Sequence, residues 1–147
     1  MTKQYAGFSL IEVMIVMAII GILATLTIPL YHGNVLKSQV NRAISELSSY
    51  KAAFEVRVVN GEAVTNSNLG YVPSSLTTGS IATAIGITNS DGSGHMEVTL
   101  GDSAHPNLAG VILRLERDMT GIWTCKIDVS SAGSWREAYR PQDCSVL

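Results

Sequence analysis

Residues 8–30 are almost wholly apolar, with one charged residue among them, Glu12. No other feature limits the fold as much. The charge-free part, 13–30, rises 1.5 Å per residue as a helix and crosses roughly 27 Å of a hydrocarbon core about 30 Å thick. A cleaved secretory signal has a shorter apolar region and a small-residue cleavage site, and Ala24-Thr25-Leu26 matches that pattern poorly. The run therefore reads as a membrane-grade helix behind a short polar leader, MTKQYAG. A plain signal anchor is the competing reading. Gly21 and Pro29 interrupt the run, and a proline deletes one backbone donor, so a kink or local melt is expected between them.

After the run the pattern changes. Leu36, Val40, Ala43, Ile44, Leu47, Tyr50, Phe54 and Val58 recur at three- and four-residue spacings and form one stripe on an amphipathic helix. Asn60-Gly61 supplies a stop. One helix from about Phe8 to about Asn60 is expected. Residues 62–94 are rich in Ser, Thr, Asn and Gly and read as a connector; within it, 89–94 (NSDGSG) reads as a turn, lacking the spaced acidic set of a calcium loop. Strand alternation follows at Met96, Val98 and Leu100, at Val111, Leu113 and Leu115, and at Trp123, Cys125, Ile127 and Val129, with a weaker fourth segment at 134–140, SWREAYR. Turn-rich stretches separate them. Short connections favour an antiparallel sheet whose apolar face covers the helix stripe. The expected fold class is α+β: a leader 1–7, an apolar helix 8–31 and a head 32–147. The head comprises an amphipathic helix 32–60, a connector 61–94 and a four-stranded antiparallel sheet 95–140.

Both cysteines, Cys125 and Cys144, fall late in the chain. Downstream of a membrane segment, a disulfide formed in an oxidising compartment is favoured over two reduced, buried thiols. Bridging 125 to 144 is worth about 3 kcal/mol by loop closure.

Glu12 has two readings. Ser9-Leu10-Ile11-Glu12 fits a capping box at a helix start, where the carboxylate also suits the helix dipole. Alternatively, a carboxylate in a bilayer, costing about 2.5–3.5 kcal/mol on insertion scales, calls for a partner. Cleavage between Gly7 and Phe8 creates an α-amine four residues away. The same amine on a neighbouring copy then pairs with Glu12 and fixes the stagger between helices.

Gly7-Phe8-Ser9-Leu10-Ile11-Glu12, followed by the apolar run with Pro29, resembles the class III signal of type IV pilins. The resemblance implies that a prepilin peptidase cuts after Gly7 and N-methylates Phe8. It also implies that Glu12, with Pro29 in the same helix, serves assembly. Residues 121–125 (GIWTC) and 141–144 (PQDC) are similar to the C-terminal loop of type IVa major pilins, bounded by a disulfide, here 125–144. The implied protein is a homopolymer subunit, held in the inner membrane before assembly and then exposed in an extracellular fimbrium. Its implied partners are the peptidase, the assembly platform and its ATPases. Adhesion to host surfaces, twitching and DNA uptake are implied for the filament. A minor pilin, or a pseudopilin of secretion or competence, shares the same N-terminus and is the alternative.

Other function classes find little support. The net charge is −2, against bulk nucleic-acid binding, which needs a clustered basic face. Arg114, Arg117, Lys126, Arg136 and Arg140 are the residues that would form one, but acidic residues are interleaved with them. Asp102, Ser103 and His105 have triad residue types but sit in a turn-like sequence. No Walker loop, nucleophile elbow or zinc-helix motif occurs. No catalytic residue, cofactor or metal site is expected.

Overall fold

The computed structural model describes residues 7–147, without the side chains of residues 28–30. The expected leader, residues 1–7, lies outside the described residues apart from Gly7, and so does the Pro29 side chain. The chain divides into two compact units, Met1–Asn34 and Val35–Leu147.

Helix α1 spans Leu10–Ser48 and so enters both units. Its backbone is helical throughout, and the expected melt between Gly21 and Pro29 is not present. A proline removes a single hydrogen bond, and the turns on either side keep theirs. Two threonines in this region turn their hydroxyls back on the helix: Thr25 Oγ1 donates to Ile22 O at 2.7 Å and Thr27 Oγ1 to Leu23 O at 3.1 Å. An apolar helix thus carries hydroxyls without leaving them unbonded.

In the second unit the helix stripe is the core. Leu36, Val40, Ala43 and Leu47 are buried, and Phe54 is wholly buried. The single helix expected through residue 60 is instead two. The backbone tightens here: Ser49 N is shared between Ser45 O at 3.1 Å and Glu46 O at 3.2 Å, and Tyr50 N donates to Leu47 O. Helix α2 follows as Lys51–Asn60 and ends at Gly61, whose φ of 66° gives the left-handed cap its N–H bonds require. The interruption stays close to helical, with Tyr50 at φ −85° and ψ −7°, so the stripe keeps its phase across it.

The connector holds more structure than its composition suggests. It contains α3 (Asn66–Leu69), β1 (Thr77–Thr78) and β2 (Gly86–Thr88). Asn66, a buried polar residue, organises it. Its Nδ2 donates to Ile81 O and Thr83 O at 2.8 and 2.6 Å, and its Oδ1 accepts from Ile85 N at 3.0 Å. A buried amide satisfied three times in this way pins a loop that has little apolar surface of its own.

Strands β3 (Gly94–Leu100), β4 (Ile112–Arg117) and β5 (Trp123–Asp128) form the antiparallel centre of the sheet, as expected. Met96, Val98, Leu100, Leu113, Leu115 and Ile127 face the core. The expected fourth strand is wrong: residues 137–139 form a 3-10 turn. The last strand is β6, Cys144–Val146, and it pairs with β5 in parallel. The sheet is therefore mixed and six-stranded in the order β1-β3-β4-β5-β6, with β2 also on β3. It begins at residue 77 and ends at 146, not at 95 and 140. Gly94 permits the close approach of β2: a Cβ there would lie 2.3 Å from Ile87 O and 3.0 Å from the Phe54 ring.

Candidate functional site

In the first unit the helix presents apolar side chains to its surroundings on every side. Phe8 is 82% exposed, Leu10 79% and Ile11 66%, and the exposure continues through Leu26. This segment has the length and composition of a membrane span. The sequence dictates the result, since a helix apolar all round has no polar face to give to water.

The capping box at its head does not form. Glu12 N donates to Ser9 O at 3.1 Å, and Val13 N donates to the same carbonyl at 3.3 Å. The N–H that the Ser9 hydroxyl would accept from is taken by the Ser9 carbonyl. The Glu12 carboxylate is exposed and, among the described residues, has no ion pair or side-chain hydrogen bond. Gly7 and Phe8 precede the helix and are exposed beside it.

The C-terminal loop is tied at both ends. Cys125 and Cys144 form a disulfide across directly paired residues of β5 and β6. That settles the cysteine alternatives in favour of the bridge. Arg140 Nη1 donates to Cys144 O at 2.9 Å, and its Nε pairs with Glu137. Trp135 and buried Tyr139 meet edge to face at 5.8 Å. The loop thus has a small aromatic anchor of its own.

At the end of the sheet lies a cluster that the sequence reading missed. Arg117 continues the inward-facing parity of Leu113 and Leu115, and Trp123 is its register partner on β5. Both reach Glu55 on α2. Arg117 Nε and Nη2 donate to Glu55 Oε1 and Oε2 at 2.8 and 2.9 Å, and Trp123 Nε1 donates to Oε1 at 2.7 Å. Arg117 Nη1 also donates to Gly92 O at 2.7 Å, which ties in the 89–93 turn. The Arg117 guanidinium outweighs partial burial and holds the Glu55 carboxyl below its ordinary value, while Glu55 raises Arg117 in return. Lys51 Nζ lies 5.5 Å from the Trp123 ring centre. The sequence signal was weak, since Glu55 follows Phe54 of the stripe and shares its helix with Lys51 and Arg57, and so reads as part of a polar face.

The basic residues weighed for DNA are largely occupied. Arg114 pairs with Glu97 at 2.7 Å, Lys126 with Glu116 at 2.6 Å, Arg117 with Glu55 and Arg140 with Glu137. Arg136 alone of the five has no ion pair among the described residues. The residues with triad chemistry belong to a turn: His105 Nδ1 accepts from Asn107 N at 3.2 Å and caps the short 3-10 segment Pro106–Leu108.

An α+β head with a tied C-terminal loop, following in sequence a helix whose apolar surface is bare, defines a class of protein with one membrane-grade helix and one folded head. Residues 37–145 match the family described as pilin (bacterial filament), and residues 2–28 match the prokaryotic N-terminal methylation motif. The chain is 37% identical to a fimbrial protein of Pseudomonas aeruginosa over 97% of both chains. It is 34% identical to the type IV major alpha-pilin of Moraxella bovis, over 94% of this chain and 95% of that one. It is also 38% identical to fimbrial protein EcpB of Eikenella corrodens over the whole of both. The chain belongs to the type IV pilin family.

Proposed function

We propose that this protein is the structural subunit of a type IV pilus. The observation that carries the reading is the bare apolar helix of the first unit in a chain whose second unit has a core of its own. The second unit buries its stripe and sheet face with residues from Leu36 onward. The apolar side chains described in the first unit, from Phe8 through Leu26, are exposed and so can exchange lipid for neighbouring helices. The precursor waits in the inner membrane. Prepilin peptidase removes residues 1–7, and the new terminus at Phe8 is methylated; the match of residues 2–28 to the methylation motif supports this. The α-amine of one copy then pairs with Glu12 of another as the helix enters the filament through the assembly platform and its ATPases. The relatives named as major pilins and fimbrial proteins favour an abundant subunit over a minor one. Adhesion, twitching and DNA uptake are roles of the assembled filament.

The test is the intact mass of the chain from sheared surface fibres. Loss of residues 1–7, one added methyl group and two missing hydrogens is expected. A chain found at full mass and only in membranes refutes the proposal.

A further inference from the structure

The turn that joins β4 to β5 presents two large apolar side chains to solvent, Met119 at 70% exposure and Ile122 at 62%. The turn is fixed from within. Asp118 Oδ1 accepts from Thr120 N at 2.8 Å, from Thr120 Oγ1 at 2.7 Å and from Ile122 N at 2.9 Å. Asp118 N donates to Ile122 O at 3.0 Å, and Gly121 N donates to Asp118 O at 3.1 Å. None of these bonds uses the Met119 side chain, so the turn closes without it and holds it out in water.

The methionines of the chain lie in different settings. Met96 is wholly buried on β3. Met14 and Met17 belong to the membrane-length apolar helix, where lipid or detergent surrounds them in the function proposed above. In the head, Met119 alone offers its thioether to solvent. A thioether is oxidised where a small oxidant reaches its sulfur, and the product is a polar, chiral sulfoxide.

We propose that Met119 is a reversible oxidation site, with a hydroperoxide as the oxidant. With hydrogen peroxide, the sulfur lone pair attacks one peroxide oxygen, the O–O bond breaks and an S–O bond forms. The sulfur is oxidised by two electrons. The departing hydroxide takes the proton of the transferred hydroxyl and leaves as water. Methionine sulfoxide reductases return the sulfoxide to the thioether. Oxidation makes an apolar tip polar, while the bonds that close the turn stay in place. The modification therefore changes the surface that the head offers and leaves the head folded.

The experiment exposes the full chain, in a peroxide-free detergent, to dilute hydrogen peroxide and follows each methionine by peptide mass mapping. A short peptide with the sequence of residues 117–122 reports the unprotected rate. Met119 should be oxidised at a rate close to that of the peptide. Met96 reacts only when the core opens, and should be slower by about a hundredfold or more until denaturant is added. Met119→Gln, a polar stand-in for the sulfoxide, should leave the unfolding midpoint unchanged. A mixture of reductases for both sulfoxide epimers should restore the thioether at 119 in the folded chain. Met119 lagging far behind the peptide, or Met96 keeping pace with Met119 in the folded chain, overturns the proposal. So does a lowered midpoint for Met119→Gln, which would make the side chain part of the packing. Sulfoxide at 119 that the reductases leave in place overturns its reversibility. None of these outcomes bears on filament assembly.

Discussion

Replacing Glu55 removes the carboxylate through which α2 hydrogen-bonds to the sheet. Two charge-assisted bonds from Arg117 and one from Trp123 end on this carboxylate. Bonds to a charged group are worth about 1.5–3 kcal/mol net. The Glu55 side chain is 34% exposed and that of Arg117 10%, so solvent screens the acid end and the sum must be discounted. Glu55→Ala should cost about 2–3 kcal/mol, partly because Arg117 keeps only carbonyl partners. Glu55→Gln retains an acceptor for Trp123 and should cost about 1–2 kcal/mol. The pH dependence follows from the sign of the shift. The folded-state pKa lies below the ordinary 4.5, with Arg117 the main cause. The stabilisation is therefore complete above about pH 5 and lost as pH falls through the depressed value. Denaturant unfolding of the wild type and Glu55→Gln, in the same detergent, should show a gap at pH 7 that narrows as the pH falls below the ordinary carboxylate range. Asp91, Asp118 and Asp128 also have lowered pKa values, but they are common to both proteins and cancel. A gap that stays constant over this range would refute the electrostatic account and leave a packing effect.

Three further outcomes are expected. Phe54→Ala, at a wholly buried site against Trp123, should cost about 3–5 kcal/mol in the same assay. Cys125→Ser with Cys144→Ser should cost about 3 kcal/mol, and proteolysis should then cut first between 126 and 147, where β6 has lost its covalent tie. Glu12→Ala should insert into membranes at the wild-type level, yet be missing from sheared fibres in cells that make no other copy. Its presence there at wild-type abundance would remove the pairing role proposed for this carboxylate.

What the sequence conveyed depended on how local the determinant was. The three central strands were legible because alternation over six or seven residues is itself the physics of a half-buried strand. The helix stripe was legible for the same reason, at its own period. The connector was not: β1 and β2 have two and three residues, too few for a pattern, and their place is fixed by pairing to β3. Segment 134–140 misled because Trp135 and Tyr139 are apolar residues set in polar company. Their spacing of four suits a turn that sets one ring edge-on to the other. Strand β6 has no local signal, since Cys144 is held by its covalent partner and pairs parallel to it. At the head of the helix, Gly7, Phe8 and Glu12 were legible as a motif. The Ser9 cap was not, since two acceptors on one residue competed for the same N–H.

The proposed pairing of Glu12 also bears on what drives the helix from lipid into a filament. Burial of apolar surface contributes little to that step, because acyl chains are as apolar as the side chains of a neighbouring helix. What changes is the environment of the one charge. In the bilayer a carboxylate costs up to about 2.5–3.5 kcal/mol, the value at a helix centre, and less in the first turn where Glu12 lies. Beside the α-amine of another copy that cost is offset by attraction in a low dielectric, provided the two helices are in register. A helix shifted by one turn gains the same apolar contacts and loses the pair. On this reading the charge determines the stagger, and close packing along the rest of the segment supplies adhesion without register. Glu12→Gln therefore discriminates more finely than alanine. It keeps the size and a hydrogen-bond acceptor and removes the charge, so it should also lower the cost of staying in lipid. If the charge provides both drive and register, filaments should be lost although the glutamine chain is the better membrane protein. Wild-type filament yield from Glu12→Gln would mean that shape alone fixes the stagger.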